Sequence, residues 1–243
     1  MDGALAPTLL LTRPQAASER FLAKLELHLG QRVPAIISPV LDIQPIGEVP
    51  EIGQSETVIV TSTSAVRIAQ NAAALQGRRC LTVGQATADA ARAAGADALC
   101  LGETVASFLQ TARSLTPTPA VHLRGTHTRG DLAEHLAQAG WPVREAVIYD
   151  QVAVPVSKAA LRLVSQPGMV ILPLFSPRSA VLASALRQSR ATLTVIAMSA
   201  PVAEAWGGDG AAEVLNNPSG DAMLGQIARA FRRASLGGAA SGD

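Results

Sequence analysis

Several short apolar runs in this chain end in a polar residue that could hold an anion. Arg13 closes LLLT, Thr61, Ser62, Thr63 and Ser64 follow VIV, and Thr87 comes just after LTVG. Arg124 and Gly125 follow VHL, Ser176, Arg178 and Ser179 follow ILPLF, and Ser199 follows VIAM. Taken singly, a serine or threonine there is an N-cap, its oxygen accepting an N–H of the first helical turn. The same place also gathers unpaired N–H groups that receive carboxylate or phosphate. Open α/β sheets bind ligands at the carboxyl ends of their strands. The recurrence of the pattern therefore points to a ligand rich in negative charge, held by hydroxyls, backbone N–H groups and a few arginines.

The commoner catalytic devices are missing. There is no GxGxxG between a strand and a helix, no GxxxxGK[ST] phosphate loop and no GxSxG elbow. His122 and His127 are five apart in VHLRGTH, without an acidic or cysteine partner at metal-ligand spacing. They read as solvated surface histidines, and no metal or organic cofactor is expected.

The elements that must position these residues follow from composition and pattern. The chain has 243 residues, 48% of them hydrophobic and only 3% aromatic, enough for two domains with Ala, Leu and Val cores. A formal net charge of +1 gives no long-range attraction to nucleic acid or to an acidic membrane. Only Lys24 and Lys158 among 20 basic residues are lysines, a skew that genome composition accounts for. Cys80 and Cys100 border apolar runs and read as free, buried thiols rather than a disulfide framework. MDGALAPTLLLTRP lacks a basic leader, and no apolar run approaches the ~20 residues of a membrane span, so a cytoplasmic protein is expected.

Strand-like runs at about 8-12, 34-38, 57-61, 80-84, 97-101, 120-124, 144-149, 169-175, 193-198 and 212-215 alternate with helical segments, which predicts parallel sheets covered by helices. Phe21, Leu22, Leu25 and Leu29 form one stripe of a first helix from Gln15 to Leu29. The chain also repeats itself: TSTSAV (61-66) resembles SPRSAV (176-181), VGQATADAA (83-91) resembles MSAPVAEAW (198-206), and 98-113 resembles 212-229. The unit that follows in the first copy, 121-149, finds its counterpart at the beginning, in 8-38.

The fold class expected is therefore α/β, with two similar five-stranded, flavodoxin-like parallel-sheet domains. Residues 1-39 with 151-243 form a discontinuous domain 1, and 40-150 form domain 2. The proline-bearing segments 38-50 and 149-155 make a two-stranded linker, with a cleft between hinged domains. The tail 235-243, of small and polar residues, is expected to be unstructured.

LLLTRP, the split linker through SPV, VIVTSTSAV, VGQATA, LRGTHTRGDLAEHLAQAG, a strand ending in Tyr149, and FSPRSA together resemble the uroporphyrinogen-III synthase family, over roughly residues 8 to 231. The resemblance implies a cofactor-free enzyme that closes linear hydroxymethylbilane to uroporphyrinogen III with inversion of ring D and loss of water. It implies a monomer whose partner is this small molecule, with neither nucleic acid nor membrane. The eight carboxylates of the substrate would account for the hydroxyl-rich turns, making Arg13, Thr61 to Ser64, Thr87, Arg124, Gly125, Ser176, Arg178, Ser179 and Ser199 the substrate-binding set. Because the substrate is intrinsically reactive, positioning supplies much of the catalysis. Tyr149, the only tyrosine, falls where the family carries its favoured proton donor. The chain departs from the family at 198-203, where Val202 stands in place of a threonine. Two other readings stay open: a non-enzymatic two-domain protein closing on a small anion, and a regulator that keeps the fold without the activity.

Overall fold

Runs of Leu, Ile and Val become strands here because helices cover them on both sides, in a computed structural model that describes residues 6-127, 131-207 and 212-239. In chain order the first elements are β1 (Thr8–Leu11), α1 (Gln15–Leu29), β2 (Ala35–Ile37), β3 (Leu41–Pro45), β4 (Thr57–Val60), α2 (Thr63–Asn71), β5 (Arg79–Val83) and α3 (Gln85–Ala93). Next come β6 (Asp97–Gly102), α4 (Val105–Ala112), β7 (Ala120–Gly125), α5 (Leu132–Gln138), β8 (Val143–Ala153) and α6 (Lys158–Ser165). The chain continues with β9 (Met169–Leu174), α7 (Pro177–Leu182), β10 (Thr192–Ala197), α8 (Ala200–Trp206), β11 (Glu213–Val214) and α9 (Gly220–Ala239). It divides into two compact units, one made of Met1–Asp42 with Ala153–Asp243 and the other of Ile43–Val152.

The first unit holds a sheet in the order β11-β10-β9-β1-β2, with every pairing parallel. Leu9, Leu10 and Leu11 of its strand β1 are all fully buried, the mark of a parallel sheet with both faces covered. Leu10, Leu172 and Val195 pack with Ala160, Ala180 and Val202 on one face. On the other, Leu9, Leu11 and Ile171 meet Phe21, Leu25, Met223 and Ile227. Helix α1 spans the expected residues, burying Phe21 and Leu25 with Leu22 and Leu29 partly covered. It stops at Gly30, whose φ of 68° few side-chain-bearing residues adopt.

The second sheet runs β3-β8-β7-β4-β5-β6. Val58, Val60, Leu123, Ile148 and Tyr149 face Val66 and Ala69, while Ile59 and Leu81 face Phe108, Leu132, Leu136 and Trp141. With β4 to β8 set against β9, β10, β11, β1 and β2, the two strand orders coincide.

Two expectations are corrected. This sheet has six strands rather than five, because the segment read as linker adds β3 alongside β8. Ile46 donates its N–H to the Ile148 carbonyl at 3.1 Å and Val154 to Val40 at 3.0 Å, so the two strands run antiparallel. An edge strand tolerates Pro45, whose missing N–H costs no central ladder bond. Likewise the tail is not wholly unstructured: α9 runs to Ala239, since adding residues to a formed helix avoids the cost of nucleation. Positions 240-243 of that expectation lie outside the described residues.

Candidate active site

Within the Ile43–Val152 unit, the helix connections change sides between β7 and β4, the switch point at which such sheets bind ligands. Ser62 lies directly beyond β4 and caps α2, its backbone extended (φ −149°, ψ 146°) and its Oγ accepting the Ala65 N–H at 3.1 Å. The Tyr149 hydroxyl is 2.9 Å from the same Oγ, although the two residues are 87 apart in sequence. Tyr149 lies on β8, two strands from β4, with β7 between.

Glycine lets the ring cross that intervening strand. A Cβ on Gly125 would sit 2.6 Å from both Cε2 and Cζ of Tyr149. The register shifts here as well: Arg124 pairs with Val147 but Gly125 with Tyr149, so the bulge leaves Ile148 out of the ladder. Thr126 then pins the tyrosine backbone, its N–H donating to the Tyr149 carbonyl at 2.9 Å. Tyr149 is only 5% exposed, so its position is set by packing as well as by this bond.

The Ser62–Tyr149 bond can run in either direction. A hydroxyl has one proton and two lone-pair sites. Ser62 spends a lone pair on Ala65, leaving its proton available for the Tyr149 oxygen. When Ser62 donates, the Tyr149 proton points elsewhere; when Tyr149 donates, the second Ser62 lone pair receives its proton.

Arg124, next to Gly125 on β7, is committed rather than open. Its Nε lies 2.9 Å from Glu145 Oε1 and its Nη1 donates to the Gly125 carbonyl at 3.1 Å. His122 contradicts the surface reading: it is 3% exposed, with Nδ1 3.2 Å from the same Glu145 oxygen. Burial pulls its pKa below the ordinary histidine value, outweighing the upward pull of Glu145. The sequence misleads here because a strand covered on both faces has no solvent side for a polar residue to occupy. His127 is half exposed, 3.5 Å from Asp150 Oδ1, and among the described residues no group of three metal-ligating side chains forms.

The remaining hydroxyls of this unit are placed unequally. Thr61, Thr63 and Ser64 flank Ser62 and are all partly exposed. Thr87 is buried inside the first turn of α3, and the Gln85 N–H at that helix start already donates to Glu103 Oε1 at 3.1 Å. A protein carboxylate therefore occupies the place expected for the ligand's.

The corresponding strand ends of the first unit carry Ser176, Ser179, Arg178, Ser199 and Arg13. Ser176 caps α7 with nearly the Ser62 geometry, φ −149° and ψ 151°, accepting the Ser179 N–H at 3.2 Å. The caps thus pair Ser62 with Ser176, one residue off the register obtained by aligning the two SAV triplets. The Ser176 proton goes to the buried Ser179 Oγ at 2.9 Å. Arg178 lies in the first turn of α7 and is half-buried. Ser199 begins α8 without a side-chain cap bond, leaving its hydroxyl for another partner.

Arg13 stands 4.3 Å above the ring of Phe175, and Phe21 meets that ring edge-on at 5.1 Å. Burial, and secondarily the charge of Arg20, lower the Arg13 pKa. Sequence reasoning neither singles out Phe175 nor sees Gly125 as the seat of a ring. The signal for Phe175 is its place one residue before Ser176, directly after the strand that neighbours the one preceding Arg13.

The family described as Uroporphyrinogen-III synthase HemD matches residues 26-224. No curated protein sequence matches the chain. Among solved structures, uroporphyrinogen-III synthetase from Helicobacter pylori 26695 is similar with a TM-score of 0.62 and 14% identity, covering 93% of this chain and 100% of that one. At this identity the likeness establishes the fold. A mutant uroporphyrinogen III synthase from the extremely thermophilic bacterium Thermus thermophilus is 20% identical, with a TM-score of 0.48 and coverage of 94% and 100%.

Proposed function

From the premise that this chain belongs to the uroporphyrinogen-III synthase family, we propose that Tyr149 is its proton donor and that the hydroxyl-bearing strand ends hold the substrate's carboxylates. The protein is an enzyme of tetrapyrrole biosynthesis that closes hydroxymethylbilane to uroporphyrinogen III. As the substrate's hydroxyl leaves, its C–O bond keeps both electrons with oxygen and a proton from the Tyr149 hydroxyl completes the water. The tyrosinate left behind accepts the Ser62 proton as a hydrogen bond, which stabilises charge that exists only once the reaction is under way. For ring D to end inverted, its substituted α-carbon joins the carbon that lost the hydroxyl, the bond from that α-carbon to the neighbouring methylene breaks, and the methylene rejoins ring D at its free α-carbon, whose C–H proton returns to the tyrosinate and closes the balance.

The observation that carries this reading is the 2.9 Å Ser62–Tyr149 contact made across Gly125. The carboxylates have helix starts to meet, at Ser62 and its hydroxyl neighbours, at Ser176 with Arg178 and Ser179, and at Ser199, with Arg13 as a cation. Arg124 and Thr87 play a lesser part, being engaged by Glu145 and buried beside Glu103. The coincident strand orders support two copies of a flavodoxin-like domain, one of them split by the other. Cys80 and Cys100 are free thiols, as suits a reducing compartment such as the cytoplasm.

The test is to supply freshly generated hydroxymethylbilane in the presence of chelator and separate the oxidised isomers. Wild-type protein gives isomer III, and Tyr149→Phe slows its formation about 10- to 100-fold, the low end of general acid catalysis, with product affinity little changed. A Tyr149→Phe protein of undiminished rate would remove the tyrosine from the chemistry. Formation of isomer I alone by the wild type would remove the activity itself.

A further inference from the structure

Arg13 carries a desolvation cost that no carboxylate among the described residues offsets. Its guanidinium is half-buried. The ionisable group that acts on it is another cation, Arg20, seven residues along. The first turn of α1 contains no acidic residue. Ser18 fastens the backbone at this point, its Oγ donating to the Arg13 carbonyl at 2.9 Å. What holds the guanidinium is therefore the face of Phe175, 4.3 Å away, with Phe21 braced edge-on against that ring at 5.1 Å.

The arrangement also has a place in the fold. Arg13 follows β1 and Phe175 follows β9, neighbouring parallel strands, and the order β2-β1-β9 puts the pair at the switch point of this sheet. An aromatic face attracts a cation without neutralising it, so the charge stays available to a ligand while its side chain is kept from wandering. A guanidinium held in this way offers a planar fork to a carboxylate, and less is lost in ordering it when the ligand arrives.

We propose that Phe175 is a positioning residue for the substrate, holding Arg13 at the carboxyl end of β1 as the receptor of one substrate carboxylate. The inference rests on the synthase reading above and adds to it a residue and a specific job. It separates binding from chemistry: the Phe175–Arg13 pair acts on a carboxylate and on no bond that forms or breaks, so its loss weakens substrate capture and leaves the bond-breaking step alone.

The test measures kcat and KM for hydroxymethylbilane in the full-length protein. Phe175→Met keeps apolar volume but removes the π face, Phe175→Tyr keeps the face, and Arg13→Gln removes the charge. Phe175→Met should raise KM about 3- to 10-fold with kcat within about twofold, the size expected of a partly exposed cation–π contact. Phe175→Tyr should return KM to within about twofold of wild type. In an Arg13→Gln background Phe175→Met should add nothing further, because the two act as one unit. The proposal is overturned if Phe175→Met leaves KM unchanged, if Phe175→Tyr fails to rescue it, or if the Phe175→Met effect persists in full without Arg13. Should the wild type form no isomer III, the synthase reading fails and this inference fails with it; isomer III with an unmoved KM refutes this inference alone.

Discussion

Replacing Gly125 by alanine is a sharp test, because it touches the proposed donor without altering any polar group. The backbone there accepts alanine, since Gly125 is not among the positive-φ glycines. The obstacle is the Tyr149 ring, with Cε2 and Cζ at 2.6 Å and Cδ2 at 3.1 Å from the new Cβ. Carbon atoms in contact settle at about 3.5–4.0 Å, so the ring must retreat by roughly 1 Å. The 2.9 Å bond to Ser62 then stretches past the limit of a useful hydrogen bond. A displacement of about 1 Å in a reacting group can cost ~10²-fold in rate, which places Gly125→Ala in the range expected for Tyr149→Phe. Overpacking of this kind destabilises by about 1–3 kcal/mol. For a chain of this length that corresponds to a fall in Tm of roughly 2–12 °C. Initial rates of isomer III formation and a thermal melt read both effects. The double variant Gly125→Ala with Tyr149→Phe should be no slower than the slower single variant, because both remove the same interaction. A Gly125→Ala protein within about twofold of wild-type rate would refute the view that the ring's placement over β7 matters to the chemistry.

The serine caps should cost less than the tyrosine. Ser62→Ala or Ser176→Ala is expected to slow turnover about 2- to 10-fold, since the helix N–H groups survive to hold a carboxylate; rates abolished by either change would shift the chemistry from Tyr149 to these turns. The Glu56–Arg144 pair should govern acid stability. Arg144 Nε and Nη2 donate to the two Glu56 oxygens at 2.7 and 2.9 Å, and the Gly53 N–H adds a third bond at 2.7 Å. Hydrogen bonding from Arg144 brings the Glu56 pKa down to about 2, below its ordinary value, so its contribution is complete above pH ~4.5 and disappears as pH falls towards 2. Glu56→Gln should lower stability at pH 7 by about 1–2 kcal/mol and flatten the acid slope of a denaturation series. An unchanged slope would show that the pair is screened by solvent.

What the sequence reveals of this fold and site divides along physical lines. β-Branched runs, helix periodicity and serine caps are local signals, so the strands, helix α1, Ser62 and Ser176 are all readable from a few neighbouring residues. Tyr149 is readable only through the family resemblance, because its partner Ser62 is 87 residues away. Gly125 stands out as a residue at a strand end, yet its reason for being glycine is a ring on the next strand, which no local pattern contains. His122 misleads for a related reason: polarity within a strand signals a solvent face only when such a face exists. Phe175 escapes notice because an apolar residue at a strand end looks like core until the arginine above it is seen.

The pairing of β1 with β9 has a consequence for how the molecule comes into being. Thr8 and Leu9 are aligned with Val170 and Ile171, on opposite sides of an entire intervening unit. During synthesis from the N-terminus, Ile43–Val152 can close its sheet while β1 of the other sheet has only β2 beside it, and two strands alone are marginal in water. Leu9, Leu10 and Leu11, fully buried at the end, spend that interval without their second partner strand. The nascent protein therefore holds Leu9, Leu10 and Leu11 half-partnered until the ribosome delivers the strand that shields them.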